Sequence, residues 1–259
     1  MTLLSRLIPC LLLSGHGLYK TIRFDHPTYV GDPINAVRIF NEREVDEIAI
    51  LDISATRNAK PPDFRFIEDI VSEAFMPIAY GGGISCIDEV GSLFTIGVEK
   101  AIISTRAAGD PNFIRQAADL YGSQSIVACI DVKKTAFRSY QVLSHCGRRP
   151  TCWDPVDLAR RFEQEGAGEI LVNAIDRDGT MSGYDIPLLA EIAASVHVPV
   201  IASGGAGSLE HVKQVITAGG ASAAAAGSIF VFHGKHRAVL ISYPDARQRA
   251  DLCSDEQKC

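Results

Sequence analysis

Three segments of this chain recur at one fixed distance. Asp32-Pro33 returns as Asp154-Pro155, "RIFNEREVDEI" (38–48) as "RRFEQEGAGEI" (160–170), and "MPIAYGGG" (76–83) as "VPVIASGG" (198–205), each 122 residues on. "IPCLLL" (8–13) matches "VACIDV" (127–132) at an offset of 119. Matches that keep one offset across strands and helices mean a duplicated unit, so the fold must be divisible into two similar halves. Eight short apolar runs, at 6–12, 46–52, 77–80, 99–104, 125–131, 168–174, 198–203 and 222–227, alternate with amphipathic stretches at 32–44, 62–75, 85–97, 110–122, 154–166, 184–196 and 208–220. Asp-Pro openings supply an N-cap followed by a residue suited to a helix's first turn. Strands alternating with helices give a parallel sheet, and eight such units close economically as a (β/α)8 TIM barrel of α/β class. An open doubly wound sheet is the alternative. We therefore expect a single domain over residues 1–259, with half-barrels at about 1–121 and 122–240. The alternating stretch 136–151 predicts a β-hairpin inserted after strand five.

The bulk properties narrow the partners. The net charge of −6 disfavours nucleic acid or an anionic membrane surface, because both call for basic patches. No apolar run approaches the roughly 18 residues of a membrane span. The N-terminal apolar stretch has only seven residues after Arg6 and no convincing cleavage site, so we expect no secretion signal. The seven cysteines form no C-x-x-C pair and read as buried thiols of a cytoplasmic protein. No motif calls for a metal or another cofactor.

In barrels of this kind the chemistry gathers at the C-terminal ends of the strands. "GGGI" (81–84) and "SGGAG" (203–207) stand at equivalent places there. Glycine lets the backbone approach an anion closely, and a following helix N-terminus offers free N–H groups. "ST" (104–105) and "GS" (227–228) complete two symmetric cups, which predicts a ligand with two phosphate-like ends across the barrel mouth.

A resemblance follows from "GDP" (31–33), "DEIAILDI" (46–53), "GGGI", "GSQSIVACID" (122–131), "GAGEIL" (166–171), "DRDGT" (176–180), "GYD" (183–185) and "IASGGAG" (201–207). Together, over about residues 4–232, they resemble the cyclase subunits of imidazole glycerol phosphate synthase. That resemblance implies ammonia delivered by a glutaminase partner. The acceptor is a bis-phosphorylated ribulosyl aminoimidazole compound, which becomes imidazole glycerol phosphate and an aminoimidazole ribotide. By matching motifs one phosphate cup is Gly83, Ser104 and Thr105, and the other is Asp178, Gly179, Gly205, Gly227 and Ser228. Lys20 matches a lysine on the mobile loop after strand one.

The strand starts carry a separate signal. Arg6, Glu47, Lys100 and Glu169 open strands one, two, four and six. Period-two counting puts Arg6, Ile8, Cys10 and Leu12 on one face, and Lys100, Ile102 and Ser104 on another. If those faces point inward, two cations and two anions meet at the barrel floor and must pair. A structural salt cluster at the edge is one reading. The resemblance favours an ammonia gate, with the glutaminase docked on the N-terminal face.

The cyclase family uses two aspartates as acid and base, on strands one and five. Asp131 fills the second place. Leu12 stands in the first, and leucine cannot move a proton. His16 and Ser14 lie nearby in sequence, but a loop histidine reads as surface. The tail after "IFVF" (229–232) also departs from the family pattern. These departures resemble a paralogous branch found with surface-polysaccharide genes, which implies a role in amidination of a sugar. A genuine cyclase–lyase of histidine biosynthesis and a non-catalytic ammonia conduit that activates the glutaminase remain the alternatives.

Overall fold

The computed structural model describes residues 5–135, 139–234 and 237–252. Its eight barrel strands are β1 (Arg6–Ser14), β2 (Ile48–Asp52), β3 (Ile78–Gly81), β4 (Lys100–Ile103), β5 (Ile126–Lys134), β6 (Glu169–Ala174), β7 (Val200–Ser203) and β8 (Ala223–Ala226). Each pairs in parallel with the next, and β8 pairs with β1, closing a (β/α)8 TIM barrel. Among the described residues no helix is long and apolar enough to cross a membrane.

The outer layer follows from amphipathic helices with side-chain caps. Asp32 accepts from Asn35 N, and Asp154 accepts from Val156 N and Asp157 N, each just ahead of a helix that begins with proline. Ala36, Val37 and Phe40 of the helix Pro33–Asn41 are fully buried. So are Leu158, Ala159 and Phe162, at the repeat-equivalent positions of Pro155–Gln164. Truncating either phenylalanine to alanine leaves a cavity worth about 3–5 kcal/mol.

Inside the barrel, Ile8, Cys10 and Leu12 of β1 pack with Ala49, Ala79, Ile102, Val127, Cys129, Leu171, Ile201, Ala223 and Ala225. Alternate residues of each strand therefore point at the axis, in the phase expected from β1 and β4. Alanines on β2, β3 and β8 face larger aliphatics elsewhere in the barrel, which fills the interior without overpacking it.

Two features, the segment after β1 and the cysteines, differ from the expectations, and two others add to them. The segment after β1 is a β-hairpin rather than a loop, with Gly17–Ile22 antiparallel to both β1 and Asp25–Gly31. Ile22 pairs with Asp25 across the two-residue turn Arg23-Phe24, and both turn residues have positive φ (55° and 65°). Such turns normally need glycine or asparagine, and none is present to signal it. Within the predicted insertion Leu143 and Ser144 pair antiparallel with Pro150 and Arg149, and β5 adds to this hairpin, with Asp131–Lys134 pairing to Leu143–Tyr140; residues 136–138 of the insertion lie outside the described residues. The tail runs without regular structure through 240–244 before the short helix Ala246–Asp251, and Tyr243 O–H donates to Leu7 O at 2.8 Å. Finally, among the described residues only Cys10 and Cys129 are buried thiols. Cys146 is half-buried, Cys86 and Cys152 are exposed, and Cys253 and Cys259 lie outside the described residues.

Candidate active site

At the C-terminal mouth the strands open into a cavity lined by both glycine-rich turns and by residues of all eight barrel strands. Asp131 stands in its wall, 8% exposed. Its Oδ2 accepts from Ser104 Oγ at 3.0 Å and its Oδ1 from Asn173 Nδ2 at 3.4 Å. Burial pushes the carboxyl up to about 6, against the opposing pull of those two hydrogen bonds. A carboxyl that titrates close to neutrality can give and take a proton under ordinary conditions.

The layer around Asp131 is divided. In β5–β7, Asp131, Asn173 and Ser203 are register partners, and Ser104 joins them from the end of β4. In β1–β3 the corresponding row is Leu12, Leu51 and Gly81, continuing to Ile102. Leu12 and Leu51 both line the cavity. One half of the mouth thus carries hydrogen-bonding groups, and the other is aliphatic. Asp52, beside Leu51, spends its Oδ1 on Ser54 N, Ser54 Oγ and Ala55 N.

The rim carries the two glycine-rich turns. Gly83 has φ +75° and donates its N–H to Thr56 Oγ1 at 3.2 Å. Thr105 Oγ1 accepts from His145 N at 3.0 Å, which ties this rim to the second hairpin. Across the mouth, Gly205 has φ +114°, and a Cβ there would stand 2.2 Å from Gly183 O. A Cβ on Gly227 would stand 1.9 Å from Lys20 Nζ. That ammonium is buried, donates to Cys10 O at 3.3 Å, and has no carboxylate within salt-bridge distance among the described residues. A buried cation held by one carbonyl is suited to an anionic ligand. Ser228, also buried, opens the next helical turn.

Asp178 holds the first hairpin over the cavity, and Gly179 lets it approach, since a Cβ there would stand 1.9 Å from Thr21 O. Asp178 Oδ2 accepts from Thr21 Oγ1 at 2.8 Å and Phe24 N at 3.3 Å, and its carbonyl accepts from Arg23 N at 2.9 Å. These bonds supply what the Arg23-Phe24 turn lacks in its own sequence. Phe24 reaches the second hairpin, where a Cβ on Gly147 would lie 3.0 Å from its ring.

At the opposite end four charges close a ring. Arg6 Nη1 meets Glu47 Oε2 at 2.7 Å and Arg6 Nη2 meets Glu169 Oε1 at 2.5 Å. Lys100 Nζ reaches Glu47 Oε2 at 2.8 Å and Glu169 Oε2 at 3.1 Å. Each cation touches both anions, so the charges cancel within one constriction below the aliphatic interior.

The sequence profile of the family described as histidine biosynthesis protein matches residues 6–237. The chain belongs to this family. It is 51% identical over 243 residues to a Pseudomonas aeruginosa chain provisionally named imidazole glycerol phosphate synthase subunit hisF2, covering 94% of this chain and 97% of that one. A Leptospira interrogans chain, provisionally named a HisF subunit of the same synthase, is 47% identical over 248 residues, or 95% and 98% of the two chains. The imidazole glycerol phosphate synthase subunit HisF of Pelodictyon phaeoclathratiforme is 41% identical over 230 residues, 89% of this chain and 91% of its own.

For this HisF-like chain, the structure brings Asp131, Lys20, Gly83, Ser104, Thr105, Asp178, Gly179, Gly205, Gly227 and Ser228 to one cavity. Lys20 lies on a hairpin strand, not on a free loop. Asp178 points its carboxylate into the hairpin turn. His16 stays outside the cavity; it stacks on Phe66 at 4.2 Å between centroids and lies 3.4 Å from Asp63. Ser203, the first residue of the second glycine-rich motif, lines the cavity too, and Asn173, Arg57 and Cys146 also line it and were not anticipated. A signal for Asn173 was present: Glu169, Leu171 and Asn173 share a parity, so a floor glutamate on this strand already implied an inward Asn173. Cys146 carried no such signal, because its place depends on how the second hairpin folds back.

Proposed function

We propose that this chain is the synthase subunit of a glutamine amidotransferase pair and carries out ammonia-dependent chemistry on a phosphorylated substrate. A glutaminase docks on the N-terminal face, and ammonia enters past Arg6, Glu47, Lys100 and Glu169. It travels along the aliphatic interior to Asp131, which acts as the acid–base of the mouth. The two rims hold the phosphorylated ends, with Lys20, Gly205, Gly227 and Ser228 on one side and Gly83, Ser104 and Thr105 on the other. The substrate belongs to a paralogous reaction, the amidination of a surface-polysaccharide sugar, rather than to imidazole ring closure.

The observation that carries this reading is the divided layer. Asp131 is hydrogen-bonded and tuned by burial, while Leu12 and Leu51 occupy the β1–β2 side. Losing one of two positioned acid–base groups costs about 10²–10⁴-fold in rate. The retained rim glycines and Lys20 support the second reading, a genuine cyclase–lyase that works with a single carboxylate. Purified chain is assayed with the bis-phosphorylated ribulosyl aminoimidazole and ammonium salts. We expect turnover at least about 100-fold below that of a family member with both aspartates, and a gain in Leu12→Asp. Near-normal turnover in the unmodified chain would overturn the paralogue reading.

A further inference from the structure

Asn173 sits at the centre of the polar half-layer, 7% exposed, with Asp131 as its register partner on one side and Ser203 on the other. Its carboxamide is used at one end only. Nδ2 donates to the Asp131 carboxylate, and that contact fixes the amide's orientation, since the reverse placement would set two acceptor oxygens against each other. Oδ1 is completely buried from solvent and has no hydrogen-bond donor among the described residues. It lies against the glycine-rich turn after β7, where a Cβ on Gly204 would come within 3.1 Å of it. That turn and Asn173 both line the mouth cavity. A buried carbonyl oxygen without a donor is destabilising, and the group that relieves it must bring an N–H or O–H into the cavity beside Asp131.

We propose that Asn173 is a ligand-contacting residue of the reactive centre, whose Oδ1 accepts an N–H of the nitrogen nucleophile or of the substrate beside Asp131. This deepens the reading above and rests on it for the identity of the ligands. Oδ1 is closed to solvent as it stands, so the carboxamide turns toward the cavity to receive a ligand, and the smallest candidate is ammonia. It has three N–H bonds and one lone pair; holding two of those bonds with Asp131 and Asn173 Oδ1 leaves the lone pair free to face a bound substrate. The paired acceptors also select against a hydroxide or carboxylate, which would present a lone pair to them.

The test uses the full chain labelled with 15N at asparagine, with the Asn173 carboxamide assigned by its loss in Asn173→Leu. Ammonium chloride, at a fixed pH that supplies free ammonia, and the bis-phosphorylated ribulosyl aminoimidazole are titrated separately. A saturable shift of the Asn173 carboxamide with ammonia alone assigns Oδ1 to the nucleophile. A shift only with the bis-phosphate assigns it to a substrate N–H. In either case Asn173→Leu weakens that ligand by about 10-fold, the value of one hydrogen bond in a dry site. No saturable shift with either ligand overturns the proposal. Failure of the bis-phosphate to bind at all, read by calorimetry, defeats the cyclase–lyase reading of the preceding section and leaves the ammonia titration to decide Asn173.

Discussion

Glu47→Gln isolates the electrostatics of the floor ring. The substitution keeps the shape of the side chain and its ability to accept a hydrogen bond, and removes only the charge. Glu47 Oε2 receives both Arg6 and Lys100, at 2.7 and 2.8 Å, from a side chain 5% exposed. Removing one partner of a buried ion pair costs about 3–5 kcal/mol, because the other charge stays behind uncompensated. Both cations keep Glu169 as a partner, and their side chains are 28% and 18% exposed, which places the loss at the lower end, about 3 kcal/mol. For a chain of this size that lowers the midpoint of thermal unfolding by about 6–12 °C. Adding Lys100→Met removes one of the stranded charges, so the double variant must lose less than the sum of the singles, by about 1–3 kcal/mol. Scanning calorimetry at constant pH reads both quantities. A drop below about 2 °C together with strict additivity would mean that water solvates these charges and that no closed ring exists at the floor.

Three further outcomes follow. The Asp131 carboxyl is raised to about 6 by burial, from an ordinary value near 4. Its contribution to stability is therefore present below pH about 4 and lost as pH rises through about 6. Asp131→Asn should match the unmodified chain at pH about 4 and exceed it at neutral pH by up to about 3 kcal/mol, while abolishing ammonia-dependent turnover; equal unfolding midpoints at neutral pH would contradict the burial argument. Gly227→Ala places a methyl 1.9 Å from Lys20 Nζ and 2.8 Å from Cys10 O, the carbonyl that holds this ammonium, and so displaces Lys20; calorimetric titration with the bis-phosphate should show binding weakened about 10-fold, and unchanged affinity would remove Lys20 from the anion site. Asp178→Ala cuts the bonds to Thr21 and Phe24, so limited proteolysis should cleave faster within residues 17–31; an unchanged rate would show that the hairpin holds its own turn.

Much of the architecture was legible in local pattern. The repeat at 122 residues, the eight apolar runs and the capped helices demanded a parallel sheet with helices outside, and strand parity correctly grouped Ile8, Cys10 and Leu12 with the barrel interior. Their places at the starts of parallel strands put Arg6 and Lys100 at the same end, and parity gave both the inward face, because a strand alternates rigidly over its whole length. The same reasoning carried Asp131 and Leu12 to one level of the barrel mouth. It would have carried Asn173 there too, had the inward face of strand six been followed to its end.

What the sequence by itself determined is therefore whatever depends on spacing within one strand or one helix. Only the tertiary structure decided which of those faces meet. The Arg23-Phe24 turn contains no residue that favours positive φ and exists because Asp178, on a distant loop, supplies its hydrogen bonds. The four floor charges become a ring only when closure of the barrel brings non-consecutive strands around one axis, and Asn173 meets Asp131 only once β5 and β6, far apart in sequence, pair in register. Local periodicity fixes the direction in which a side chain points, whereas its partner is fixed by chain segments that are close in space and far apart in sequence.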